Sequence, residues 1–247
     1  MASEDKPMVL DARKDPMGWA IADYYKNGVA GRLRVFSSMF DEDEMSVESL
    51  FRTFEQMPNI ERVALEKASG RILDVGAGSG CHSLALQDMG KDVCAIDISP
   101  RSVEVMRESG VVDARLVNMY DDVFAEKFDT ILMLMNGTGI IGTLDNMPVF
   151  FGRIGRLLAD GGQALVDSSD LIYLYENEDG SVYIDLNGRY YGEVDFQMQY
   201  KNMKGEAFDW LYVDFDTLAQ CAEESGFAAE LVAQGEHYDY LARLTRK

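Results

Sequence analysis

A glycine-rich turn between a short apolar strand and an apolar helix constrains this chain more than any other segment. Residues 71–80 read RILDVGAGSG, and Leu84, Ala85 and Leu86 follow at once. Glycine has no Cβ, so it tolerates positive φ and lets a ligand lie directly against the backbone. A strand, a glycine turn and a helix N-terminus form a nucleotide-type pocket at the carboxyl end of a parallel sheet. The segment therefore predicts an α/β fold with a ligand site at this turn.

The spacing of the glycines separates two classes of ligand. A dinucleotide fingerprint is G-x-G-x-x-G, whereas here the third glycine comes one residue early, at Gly80, and Asp74 precedes the first glycine by two residues. A carboxylate repels a pyrophosphate and suits a ligand that carries an ammonium and a sulfonium. A second predicted strand ends at Asp97, where an acid can accept hydrogen bonds from both ribose hydroxyls. Ser99 and Pro100 then begin a helix, as N-cap and first-turn residue.

This D-x-G-x-G-x-G pattern, with Asp97 and the Ser-Pro helix start behind it, resembles class I S-adenosylmethionine-dependent methyltransferases. The motifs cover about residues 71–170. The resemblance implies an α/β fold with a seven-stranded, Rossmann-like, mostly parallel sheet, helices on both faces and an antiparallel last strand. It also implies S-adenosyl-L-methionine as the cofactor and S-adenosyl-L-homocysteine as its product.

The resemblance assigns parts of the cofactor to residues along the carboxyl edge of the sheet. The methionine part is expected over the glycine turn, with Asp74 acting on its amino group directly or through water, and Asn136 beside the same group. Asp97 is expected at the ribose, Ile98 against one adenine face, and Asn118 where many members place an acid that accepts from adenine. The implied cofactor-binding residues are Asp74, Gly76, Ala77, Gly78, Gly80, Asp97, Ile98, Asn118, Met119, Asn136 and Gly137.

Hydrophobic periodicity predicts the order of the elements. Strands are predicted near 71–75, 91–96, 113–118, 129–135, 162–168, 227–234 and 237–245, and helices near 80–89, 100–109, 146–159 and 214–225. Residues 16–68 are predicted to be mostly helical, with one helix capped by Ser46 and stopped at Pro58, and another that begins at Asn59. The acidic stretch 41–44 is predicted to be a solvated loop. The predicted domains are a helical extension or lid over 1–70 and a methyltransferase domain over 71–247.

Residues 171–213 predict an antiparallel β insertion after the fifth strand of that sheet. Apolar and polar residues alternate over 181–186 and 193–200, and Asn187-Gly188 between them is a two-residue hairpin signal. A third strand is predicted at 208–213. One apolar face of this insertion must be covered by the domain itself, by the N-terminal helices or by another subunit, which leaves a homodimer open.

Charge and cysteine content exclude several functions. The formal net charge is −20, which repels a phosphate polyanion, so a nucleic-acid substrate is not expected. No apolar run approaches ~18 residues, and the polar start MASEDK lacks the pattern of a signal peptide, so the expected location is cytoplasmic, away from membranes. Three cysteines without C-x-x-C spacing suit a reducing compartment, and with only two histidines no metal site is expected.

Methyl transfer from a sulfonium requires few catalytic side chains. The sulfonium already activates the methyl group, so the enzyme must align the acceptor for in-line displacement and exclude water, and a base is needed only when the acceptor must lose a proton. No catalytic residue is therefore predicted, and the acceptor is expected to be a small molecule. Candidate residues of the acceptor wall are Tyr24, Tyr25, Asn136, Asp167, Asp170, Tyr191 and Tyr212.

Three other functions stay open at this stage. A nicotinamide dehydrogenase requires the other glycine spacing. An aminopropyltransferase uses the same fold with a decarboxylated cofactor, and a non-catalytic S-adenosylmethionine-binding protein keeps the glycine turn beside a closed acceptor pocket. Fold alone does not separate the last two from a methyltransferase.

Overall fold

The computed structural model describes residues 9–177, 179, 181–184 and 188–247, which form two β-sheets flanked by helices. The strands are β1 (Leu33–Phe36), β2 (Asp43–Met45), β3 (Arg71–Val75), β4 (Asp92–Asp97), β5 (Asp113–Leu116), β6 (Phe128–Met133), β7 (Leu158–Ser169), β8 (Glu193–Tyr200), β9 (Met203–Leu211), β10 (Phe227–Gln234) and β11 (Asp239–Arg246). The helices are α1 (Pro16–Asn27), α2 (Asn59–Lys67), α3 (Cys81–Asp88), α4 (Pro100–Glu108), α5 (Met147–Leu157) and α6 (Phe215–Glu224).

The larger sheet has seven strands in the order β10-β11-β7-β6-β3-β4-β5. Strands β3 to β7 pair in parallel, and β11 lies antiparallel between β7 and β10. Ile131, Leu132 and Met133 of the central strand β6 are fully buried, as a strand covered on both faces requires. The predicted seven-stranded, mostly parallel sheet with an antiparallel last strand is confirmed.

Helices cover both faces of this sheet. Helices α5 and α6 pack on one face, against a core that includes Phe128 and Val166. Helices α2 and α3 pack on the other, against Ile72, Leu132 and Leu241. Among the described residues, no helix combines the length and the apolarity that crossing a membrane requires.

The N-terminal segment contains two strands that sequence periodicity did not reveal. Helix α2 begins at Asn59 as predicted, and α1 lies within the region predicted to be mostly helical. The predicted solvated loop 41–44 is exposed throughout, but its second half belongs to strand β2, because Asp43–Met45 pairs with β1. The helix predicted to follow Ser46 is also wrong. Its apolar residues Leu50, Phe51 and Phe54 lie in two short 3₁₀ turns, Glu48–Phe51 and Phe54–Gln56, separated by extended backbone at Arg52. Tertiary contacts have overridden local propensity there.

Strands β1 and β8 join the N-terminal segment to the insertion in one antiparallel sheet, ordered β2-β1-β8-β9. The return strand β8 is confirmed, but its partners are β1 and β9, and β9 begins five residues before the predicted 208. The predicted strand 181–186 is reduced to one isolated bridge, between Val182 and Glu176, in the part that is described. Both edges of β8 are already paired. The predicted hairpin turn lies partly outside the described residues, which omit 185–187.

Candidate functional site

The glycine turn lies at the carboxyl edge of the large sheet, between β3 and α3. Gly76, Gly78 and Gly80 have φ values of 70°, 57° and 87°, the left-handed region in which glycine is favoured. A Cβ placed on Gly80 would lie 2.9 Å from Met106 and Val111, so that glycine permits helix packing. Among the residues that the structure describes, a Cβ on Gly78 would meet only the Gly76 oxygen, at 4.0 Å, so this glycine borders open space.

Asp97 ties the glycine turn to the next βα connection. Its carboxylate accepts hydrogen bonds from the Gly78 N–H at 2.8 Å and from the Ser99 N–H at 2.8 Å. Burial raises the pKa of this carboxyl to about 6 against the lowering effect of these two hydrogen bonds, and Asp15 and Asp74 raise the pKa further. Asp97 as a residue is only partly buried, and its hydrogen bond to Gly78 places its carboxylate next to the glycine that borders open space. The predicted helix start is confirmed, because the Ser99 hydroxyl accepts from the Ser102 N–H at 3.0 Å.

Asp74 lies beneath the glycine turn in a buried network of charged groups. Its carboxylate accepts from the Ser83 hydroxyl at 2.6 Å, and burial raises its pKa. His82 is 4% exposed and contacts Glu61, Nε2 to Oε2, at 2.8 Å. Burial lowers the pKa of His82, but Glu61 and Asp74 raise it by more. Arg52, from the N-terminal segment, completes the network by an ion pair with Glu61. Sequence patterns gave no signal for this network, because its members lie on separate elements.

The predicted adenine side is formed by the loops after β4 and β5. Ile98 follows strand β4 directly and is 38% exposed, so it presents an apolar side chain at this edge of the sheet. The Asn118 side-chain oxygen accepts from the Tyr120 N–H at 2.9 Å, while Met119 is buried. The N-terminal segment runs alongside, since the Leu10 N–H donates to the Ile98 carbonyl at 2.8 Å.

The turn after β6 has an unusual backbone. Met135 and Asn136 have φ values of 66° and 57°, a conformation that costs about 1–3 kcal/mol for each such residue. Asp167 holds it, because its buried carboxylate accepts from the Met135 N–H at 3.0 Å and the Gly137 N–H at 2.8 Å. Burial raises the pKa of Asp167 to about 6 against these hydrogen bonds. The Ser169 hydroxyl donates to the Asn136 side-chain oxygen at 2.8 Å. The carboxylate of Asp167 is thus committed to the turn rather than exposed.

The remaining candidates for the acceptor wall fall into two groups. On the insertion side, the Tyr191 hydroxyl donates to Asp170 at 2.7 Å, and Tyr212 is partly buried. Burial raises the pKa of both tyrosines, that of Tyr212 to about 12. On the N-terminal side, Tyr24 stacks on Phe51 with ring centroids 4.8 Å apart, and Tyr25 is 39% exposed.

The N-terminal segment packs against this edge of the sheet. Ile21 of α1 and Leu50 pack with Val105 of α4, and Met135 packs against the same cluster. The Ser79 hydroxyl, in the glycine turn, donates to the Leu50 carbonyl. The segment therefore contacts both the glycine turn and the strained turn after β6.

Comparisons with known proteins identify the class to which this site belongs. The methyltransferase domain family matches residues 50–232, and the chain belongs to it. The chain is also similar, at 62% identity with a TM-score of 0.92, to an S-adenosylmethionine-dependent methyltransferase from Bacteroides fragilis crystallised with S-adenosyl-L-homocysteine. That match covers 96% of this chain and 97% of the other. The prediction of a class I S-adenosylmethionine-dependent methyltransferase is confirmed.

Curated relatives match over shorter segments. A ubiquinone biosynthesis O-methyltransferase from Xanthomonas euvesicatoria is 45% identical over 75 residues, 27% of this chain and 31% of the relative. A cypemycin N-terminal methyltransferase from Streptomyces is 29% identical over 102 residues, 40% of this chain and 42% of the relative. The chain thus spans less than half the length of these two relatives.

Proposed function

We propose that this methyltransferase binds S-adenosylmethionine across Gly78 and Asp97 and transfers its methyl group to a small-molecule acceptor. The observation that carries the proposal is the open space that Gly78 borders, next to the Asp97 carboxylate that accepts the Gly78 N–H. A Cβ on Gly78 would extend into that space, which is the fit expected of a backbone that contacts a ligand. Asp97 is an acceptor at the end of the second βα unit, suited to a ribose diol.

The other residues at this edge suit the rest of the cofactor. Ile98 offers an exposed apolar side chain to an adenine face, and Asn118 an oxygen that can accept a second hydrogen bond. Asn136, held by Ser169, would lie at the methionine amine, and buried Asp74 would act on that amine through water. Residues 9–70 would act as a lid, because they contact both the glycine turn and the turn after β6.

Bound S-adenosylmethionine supplies a methyl group that its sulfonium already activates. The chain's own residues would then orient the acceptor and exclude water, and the strained turn at Asn136 would fix one wall of the site. Two curated relatives are named for methylation at oxygen and at an N-terminus, so their short matches support the methyl donor and leave the acceptor open. A cytoplasmic location and a homodimer remain predictions from the sequence.

Calorimetry tests the cofactor assignment directly. S-adenosylmethionine and S-adenosylhomocysteine are expected to bind with micromolar Kd, about −8 kcal/mol, and NAD is not expected to compete. Screening a metabolite library for release of S-adenosylhomocysteine would then separate an enzyme from a non-catalytic binding protein. Tight binding of NAD without a response to either adenosyl ligand would contradict the proposal.

The affinity for S-adenosylhomocysteine is expected to depend on pH through Asp97. The pKa of this carboxyl is about 6, raised by burial, so it becomes protonated as the pH falls below that value and then accepts hydrogen bonds poorly. Calorimetry should show a constant Kd above about pH 7 and a loss of roughly tenfold by about pH 5. Asp97→Asn should bind more weakly at neutral pH and show a flatter profile. An unchanged slope in this variant would assign the pH dependence to another group, such as Asp74 or Asp15.

A further inference from the structure

The four-stranded sheet has two chemically different faces. On its inner face, Val194 lies opposite Trp210 and Phe196 opposite Phe208 across the β8–β9 pair. The outer face of the same two strands carries polar side chains, namely Asp195, Gln197, Gln199, Lys204 and Asp209. A contiguous apolar face marks a contact site, either within the chain or with a partner outside it.

Both ends of this inner face are covered by other parts of the chain. At one end, Tyr200 is 2% exposed and packs in a cluster with Ala20 of α1. At the other end, Trp210 lies on the turn after β6, so closely that a Cβ placed on Gly139 would be 1.8 Å from its ring. Between these ends the described residues leave the face open, since Phe208 is 36% exposed and Phe196 is only partly buried.

The two covered ends of this face lie on opposite sides of the proposed cofactor site. Helix α1 contacts the loop that follows Asp97, because its N-cap residue Asp15 accepts a hydrogen bond from the Ser99 hydroxyl at 2.5 Å. Strand β9 reaches this helix at Gly205, where a Cβ would lie 3.1 Å from Pro16, and it reaches the Asn136 side at Trp210. Five residues of strand span about 17 Å, so the segment from Gly205 to Trp210 runs from the contact with Pro16 to the contact with the turn after β6.

We propose that Phe196 and Phe208 form the ceiling of the acceptor site and that the acceptor presents a flat, uncharged aromatic ring to them. This inference rests on the proposed function. The ring centroids of Phe196 and Phe208 lie 6.2 Å apart. Two further rings extend this aromatic surface: Trp210 lies 5.9 Å from Phe208, and Tyr212 lies 6.4 Å from Phe196, again between ring centroids. Because these rings are tilted by 53° to 77° to one another, a planar ring gains edge-to-face and offset-stacked contacts with them, whereas a charged group would lose hydration there without compensation.

Ligand-observed NMR on the protein loaded with S-adenosylhomocysteine tests the ceiling, with 2-naphthol as the probe and decahydro-2-naphthol as its saturated counterpart. The wild type is expected to bind 2-naphthol saturably and at least about fivefold more tightly than the saturated alcohol. Phe196→Leu and Phe208→Leu keep apolar volume without the ring, and each should weaken binding of 2-naphthol by about fivefold. The matched control is Phe36→Leu, on the outer face of the same sheet, which should change nothing.

Each alternative has a distinct outcome. Equal affinity for the saturated alcohol, or an equal loss in Phe36→Leu, would overturn the proposal of an aromatic ceiling. Self-association of the wild type that Phe208→Leu abolishes, seen by sedimentation, would overturn it in favour of a second copy covering this face. Calorimetry on all variants should give an unchanged Kd for S-adenosylhomocysteine. Failure of the wild type to bind S-adenosylhomocysteine would contradict the proposed function, while binding of 2-naphthol would still report on the ceiling.

Discussion

Replacement of Gly78 by valine is expected to abolish binding of S-adenosylmethionine and S-adenosylhomocysteine. The backbone at Gly78 has a φ of 57°, which a β-branched residue adopts only with strain, and its missing Cβ opens onto the proposed ligand space. The isopropyl group would therefore occupy the space assigned to the methionine part of the cofactor. The Gly78 N–H also donates to Asp97, so distortion here disturbs the proposed ribose acceptor as well.

Gly90→Val provides a matched control for backbone strain. Gly90 has a φ of 74°, and a Cβ placed on it would meet no atom of the described part of the chain within 4 Å, but it lies beyond the far end of α3. Both variants should lose a similar amount of thermal stability, and calorimetry should find binding lost only in Gly78→Val. Near-native affinity in Gly78→Val would mean that the ligand lies elsewhere.

The sequence predicted most where a residue's neighbours in the chain decide its structure. The strand, glycine turn and helix around Gly78 follow from local pattern, and so does the cap at Ser99, because a side-chain oxygen three residues before a free N–H is a local geometry. Strand β10 occupies the predicted 227–234, since its apolar pattern is bounded by Gly226 and Gly235.

The sequence predicted least where distant segments meet. Strand β1 is stable because Leu33 pairs with Tyr200, far along the chain, and periodicity within residues 16–68 carries no trace of that partner. The same holds for His82, whose burial depends on Glu61 and Arg52 from outside its helix. The sequence also does not reveal the left-handed backbone at Asn136, because that conformation is held by Asp167, which accepts the N–H groups on either side of it.

Replacement of Asp97 by alanine is expected to weaken the binding of S-adenosylhomocysteine at least tenfold. Two ribose hydroxyls that donate to one carboxylate form charge-assisted hydrogen bonds, each worth ~1.5–3 kcal/mol, so losing both exceeds the ~1.4 kcal/mol of a tenfold change. The loss of the Gly78 and Ser99 contacts adds to this effect by loosening the glycine turn.

The variant should nevertheless fold at neutral pH. The pKa of Asp97 is raised to about 6 by burial, so its favourable contribution to stability is present at low pH and is lost as the pH rises through that value. Removing the carboxyl at about pH 7 therefore relieves a desolvation cost that offsets the two lost backbone hydrogen bonds. Asp113→Ala is the control, because that half-buried carboxylate at the start of β5 pairs with Arg115, at the opposite edge of the sheet. Calorimetry should find its Kd unchanged, and an unchanged Kd in folded Asp97→Ala would show that another group holds the ribose.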